Sequence, residues 1–156
     1  HKKKIGMDKL FIKPEKLSPE ICLSVDERKF YIKGISAPDN VRVFYNPVIE
    51  WIGTFKKNVS DYMDVFTVEM PFIFEIDLSY FNSSSSKFLF DILTEIRKLK
   101  EQGLPVVINW YYEEGDVDMK EAAKDLAALV CMQINAIEKA PEKEDDVDDF
   151  FKRYKS

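Results

Sequence analysis

Apolar positions alternate along some stretches of this chain and recur at helical spacing along others, and the switches between the two periods mark its elements. Leu10-Phe11-Ile12 is a short apolar run ending near Pro14, which suits a brief edge strand. Ile21-Cys22-Leu23-Ser24-Val25 and Phe30-Tyr31-Ile32-Lys33 flank the polar Asp26-Glu27-Arg28-Lys29, the spacing of a β-hairpin with a four-residue loop. Gly34 then releases the strand, and Ser36-Ala37-Pro38-Asp39-Asn40 offers capping and turn chemistry. From Val41 to about Lys57, the residues Phe44, Tyr45, Val48, Ile49, Ile52 and Phe55 define one helical face. Pro47 falls inside that pattern without changing its phase, so a single kinked helix is expected rather than two, with Trp51 packed in the core. Asn58 begins a connection, and Val65-Phe66-Thr67-Val68 carries strand propensity that Pro71 limits.

The second half is more regular. Phe72 to Leu78 predicts a strand, and Phe88, Leu89, Ile92, Leu93, Ile96 and Leu99 predict a helix from about Ser86 to Gln102, stopped by Gly103 and Pro105. Val106 to Tyr112 is continuously apolar apart from Asn109, the mark of a strand buried on both faces, and strand-helix-strand order implies a right-handed parallel crossover. Asp116 or Asp118 is placed to cap a helix carrying Met119, Ala122, Ala123, Leu126, Leu129 and Val130, and Cys131 to Ile137 predicts a last strand. The sum is one α/β domain, a mixed sheet with helices packed on it, over residues 10–140. Residues 1–9 form an N-terminal extension in which His1 and the lysines after it read as a cloning remnant ahead of Met7. Residues 141–156 form a charged tail whose apolar-basic end, Phe150-Phe151 to Lys155, is expected to dock as a short helix on its own domain.

Composition narrows the function. At 156 residues and 46% hydrophobic content the chain can bury a real core. A net charge of −5 gives no electrostatic footprint for nucleic acid or an anionic membrane. No run approaches the roughly 18 apolar residues of a membrane span and no signal-peptide pattern opens the chain, so a soluble cytoplasmic protein is expected. Cys22 and Cys131 sit in apolar, strand-like contexts that suit small buried hydrophobes, and a disulfide between them is unneeded. His1 is the one histidine, so no zinc site or cofactor is expected. Glu75, Asp77, Glu113, Glu114 and Asp116 supply carboxylates, yet no histidine-based nucleophile pair, glycine-rich phosphate loop or metal-ligand set accompanies them, which argues against an enzyme.

The stretch that stands out is Tyr80-Phe81-Asn82-Ser83-Ser84-Ser85-Ser86-Lys87, where a strand hands over to a helix through four serines. Its residues admit two readings. A serine here can cap the helix, because helix starts expose backbone N–H groups that a hydroxyl satisfies. Alternatively one hydroxyl is a phosphorylation site, since a helix N-terminus favours an anion.

The same stretch resembles the Tyr-Phe-Asn-Thr-x-Ser-Ser-Lys signature of the SiaC family of bacterial regulatory phosphoproteins. The likeness continues in Gly34-x-Ser36-x-Pro38-Asp39-Asn40, in Phe44-Tyr45-x-Pro47 with Trp51, in Asn109-Trp110-Tyr111-Tyr112, and in Asp118-Met119 with Glu121. These pieces fall in family order from about Leu10 to Ile137. The resemblance implies a STAS-like, anti-anti-sigma-factor-like fold and a non-enzymatic switch in bacterial cyclic di-GMP and biofilm signalling. A dedicated serine/threonine kinase and a PP2C-type phosphatase would set its state, and the unmodified form would bind an effector such as a diguanylate cyclase. Carried over by motif, the phosphorylated residue is Ser83, with Tyr80, Asn82, Ser84, Ser85, Lys87, Trp110 and Tyr112 as partner-binding positions. Ser83 stands where the family has Thr, Ile35 where Arg is common, Asp39 where Glu is common and Gly115 where an acidic residue is common. A constitutive interaction scaffold, with Ser83 only a cap, is the alternative.

Overall fold

A computed structural model describes residues 6–141; most of the expected cloning remnant and the charged tail after Pro141 lie outside them. One six-stranded sheet runs in sequence order: β1 (Leu10–Ile12), β2 (Glu20–Ser24), β3 (Lys29–Ser36), β4 (Phe72–Phe81), β5 (Val106–Glu113) and β6 (Asn135–Lys139). β1 to β3 pair antiparallel, whereas β3 to β6 pair parallel, so the sheet is mixed. The parallel connections are filled by α1 (Val41–Lys57), α2 (Ser83–Glu101) and α3 (Val117–Val130), with a short 3₁₀ turn at Val59–Tyr62 after α1. The hairpin, the edge strand, the single helix through Pro47 and the strand-helix-strand crossover are present where the sequence pattern puts them.

Pro47 leaves the carbonyl four residues before it without its helical partner. That carbonyl belongs to Val43, and Val43 and Pro47 are both exposed, so water can satisfy it and α1 continues. Its buried stripe, Tyr45, Val48, Trp51, Ile52 and Phe55, faces the sheet and α2. Around Phe30 the core is aromatic, with the Phe30 and Phe72 rings stacked 4.1 Å apart and Phe66 edge-on at 5.8 Å.

Several expectations give way. β5 is not buried on both faces: Ile108 and Trp110 are buried, but Asn109, Tyr111 and Tyr112 remain partly exposed. When each parallel connection steps to the next strand in the same direction and with the same hand, every helix falls on one side of the sheet. The contacts of α1 with α2 and of α2 with α3 agree with that arrangement. The opposite face is a polar surface on which the Tyr31 hydroxyl donates to Glu20, that of Tyr111 donates to Glu75, and Lys139 pairs with Asp77 at 2.5 Å.

Val65 to Val68 is not a strand. The Arg28 guanidinium donates to the carbonyls of Val65 at 2.8 Å and Met70 at 2.7 Å and lies over the Phe66 ring, so this segment folds as turns around a buried phenylalanine. Gly34 does not end β3. With φ of 119° it absorbs a register shift against β4, and β3 continues to Ser36. Cys22 is buried as expected, but Cys131 is exposed in the left-handed cap position that ends α3. The last strand accordingly begins only at Asn135.

Candidate functional site

The serine stretch lies where β4 ends and α2 begins, at the carboxyl edge of the parallel strands, the edge along which open α/β sheets place their sites. Helix α2 starts at Ser83, three residues earlier than the apolar pattern indicates, because the serines form its first turn instead of a loop before it. The cap is Asn82, whose side-chain oxygen accepts the Ser85 backbone N–H at 2.8 Å. Among the described residues, therefore, no serine serves as the side-chain cap of α2.

The four hydroxyls have separate fates. Ser83 and Ser84 are exposed, Ser86 is half-buried, and Ser85 is fully buried. The first turn of α2 carries no acidic residue, so its positive end is not already neutralised.

Beneath that turn three fully buried hydroxyls meet. Ser85 Oγ donates to the Ser36 carbonyl at 2.9 Å, and Ser36 Oγ donates to Ser85 Oγ at 2.8 Å. Each hydroxyl has a single proton. The Tyr45 hydroxyl, 2.5 Å from Ser36 Oγ, must then be the donor to it. The Ser36 carbonyl also accepts the Asn82 N–H at 3.0 Å, bolting the α2 cap to the end of β3. The Tyr45 ring stacks on Phe88, one turn further along α2, with centroids 5.8 Å apart. Burial pushes the Tyr45 phenol up to about 12. A buried hydroxyl left without a partner costs about 1–3 kcal/mol, so each of these bonds keeps a neighbouring buried group satisfied.

The other expected site residues divide by burial. Tyr80 is 54% exposed, beside Ile35 in the β3–β4 register, and Lys87 is exposed, pairing with Asp91 at 3.0 Å. Tyr112 is half-exposed with Lys120 over its ring. Trp110 is fully buried: its Nε1–H donates to the Met119 carbonyl at 3.1 Å and its ring meets Phe81 edge-on at 5.9 Å. Ser85 and Trp110 therefore hold the strand end and cap in place from inside, where a docking partner has no access to them.

Sequence reasoning passed over the groove of about 470 Å³ at the start of α1, lined by Leu17, Ser18, Pro38, Asn40, Val43 and Phe44. It joins the serine turn through the end of β3, where Ala37 N–H donates to Leu17 at 2.7 Å and the Ser36 carbonyl holds Asn82. Among its lining residues Val43 stands out as apolar yet off the buried stripe of α1, and it is 64% exposed.

Three of the five carboxylates weighed for catalysis have local partners. Glu75 is held by Tyr111, Asp77 by Lys139, and Asp116 caps α3 by accepting the Met119 N–H at 3.1 Å. Among the described residues no group of three or more His, Cys, Asp or Glu is placed to hold a metal ion, and no helix is long and apolar enough to cross a membrane.

The family model for SiaC family regulatory phosphoproteins matches residues 12–139. This chain belongs to the SiaC family. An uncharacterized protein of Pseudomonas aeruginosa strain UCBPP-PA14 is 25% identical over 119 residues, covering 76% of this chain and 87% of the relative. The crystal structure of apo-SiaC from Pseudomonas aeruginosa superposes with a TM-score of 0.70 at 24% identity, over 83% of this chain and 98% of that one. A second SiaC, crystallised with the diguanylate cyclase SiaD that it activates, also from Pseudomonas aeruginosa, superposes at 0.69 with 23% identity, over 85% and 99% of the two chains. At these identities the superpositions establish a shared fold, and the single mixed α/β domain is that of SiaC.

Proposed function

We propose that this protein is a non-enzymatic, cytoplasmic signalling switch in which phosphorylation of Ser83 controls binding to an effector. A serine/threonine kinase adds the phosphate, a PP2C-type phosphatase removes it, and the unmodified form engages the effector. The observation that carries this reading is the separation of roles at the start of α2. Asn82 makes the capping hydrogen bond, which leaves the Ser83 hydroxyl exposed on the first turn and free of that task. A phosphate there adds roughly 1.5 to 2 negative charges at neutral pH to a helix end that favours them. The helix has no reason to unfold; the charge and shape of the exposed surface at the start of α2 change instead.

A diguanylate cyclase is the proposed effector class, by similarity to the SiaC that activates SiaD. Such a partner places the protein in cyclic di-GMP signalling. The alternative, a constitutive scaffold without phosphoregulation, cannot give Ser83 the capping role, because the cap is Asn82; it predicts binding indifferent to the state of Ser83. Two observations in the native host test the proposal: phosphosite mapping of the purified protein, and co-purification with Ser83→Asp and Ser83→Ala variants. Modification at Ser83, and an effector retained by the alanine variant but lost from the aspartate variant, are expected. An unmodified Ser83 with equal retention by both variants sinks it.

A further inference from the structure

Ser36, Tyr45 and Ser85 come from three separated parts of the chain, and none is explained by exposure, since all three are fully buried. They lie at the end of β3, in the second turn of α1 and in the first turn of α2. We propose that Ser36 and Tyr45 are positioning residues for the switch: through Ser85 they carry the state of Ser83 from the first turn of α2 to the start of α1. The inference rests on Ser83 being the modified residue and extends the reach of that modification to the start of α1.

The geometry leaves little slack for any other behaviour. The Ser36 carbonyl accepts both from the Asn82 backbone and from the Ser85 hydroxyl, so the cap and the third residue of α2 are held by one oxygen. The Ser36 hydroxyl accepts a hydrogen bond from Tyr45 and donates one to Ser85, so a displacement of the first turn of α2 reaches α1 through two hydrogen bonds. Tyr45 also stacks on Phe88, closing the loop back onto α2. Densely packed, fully satisfied polar contacts shift between discrete arrangements rather than yielding gradually, which makes such a cluster suited to passing on a local change. At the far end, Asn40 caps α1 by accepting the Val43 N–H at 3.2 Å, two residues before Tyr45.

The test compares protein carrying phosphoserine at position 83, incorporated during synthesis, with unmodified protein by amide hydrogen exchange. Phosphoserine is expected to slow exchange about threefold in the first turn of α2, the size of a charge effect at a helix N-terminus, and to slow the first turn of α1 as well. In Tyr45→Phe, which removes one oxygen and no ring, the α2 response is expected to remain while the α1 response disappears. Ser36→Ala serves as a second variant and is expected to behave alike. A role confined to stability would raise exchange equally in modified and unmodified protein, leaving their ratio as in the unmutated chain, and that result overturns the proposal. So does an α1 turn that ignores phosphoserine in the unmutated chain. Failure of the Ser83 reading shows elsewhere, as equal effector binding by the two forms with the α1 response intact, which removes the switch but leaves the mechanical link.

Discussion

The Tyr45 hydroxyl lies 2.5 Å from the Ser36 hydroxyl with both residues fully buried, joining α1 to the end of β3 underneath the cap of α2. The two ends of this bond are not equivalent. Tyr45→Phe leaves Ser36 still donating to Ser85, so its cost is that of one hydrogen bond, about 1 kcal/mol. Ser36→Ala strands the Tyr45 phenol in the core and also deprives Ser85 of a donor, costing about 2–3 kcal/mol. Urea unfolding should therefore place Ser36→Ala below Tyr45→Phe, and the reverse order would contradict the proton arrangement.

Alkaline stability follows from the same site. The Tyr45 phenol is raised from 10.0 to about 12, mainly by burial. Its contribution to stability is thus complete below the ordinary tyrosine value and is lost as pH rises from there through about 12. Tyr111, which donates to Glu75, is also raised to about 12, and Tyr31 is raised through its hydrogen bond to Glu20. Tyr45→Phe should accordingly make the loss of stability above pH 10 less steep without abolishing it, as read from unfolding midpoints across that range.

Asn82 supplies the capping oxygen, so Asn82→Ala should cost about 1 kcal/mol in denaturant unfolding. Asn82→Asp should be close to neutral at pH 7, because a carboxylate caps as well and adds favourable charge at the helix start. Equal losses for the two substitutions would mean that some other group holds the first turn.

Much of this molecule was legible in its residue pattern. The apolar alternation of β4 and the period of α2 are strong local signals, and the phase of α1 runs unbroken through Pro47 because the orphaned carbonyl faces water. The misses have a common cause in information that is not local. Val65 to Val68 has β-branched residues, yet Arg28, far away in sequence, takes carbonyls that a neighbouring strand would use. β5 reads as doubly buried, but whether one or both faces are covered depends on strand order. The start of α2 was misplaced because serines are poor interior helix formers, while at a first turn their cost is small and Asn82 does the capping. At the site, family likeness marked Ser83, whose exposure suits modification. Nothing in sequence spacing could bring Ser36, Tyr45 and Ser85 together.

The account turns on whether a phosphate on Ser83 is read by a partner. The most direct measurement is calorimetric titration of a diguanylate cyclase from the same host with fully phosphorylated and with unmodified protein. Binding of the unmodified form and a loss of at least about tenfold, roughly 1.4 kcal/mol, on phosphorylation are predicted. Equal affinities of the two forms for a cyclase that does bind would contradict it.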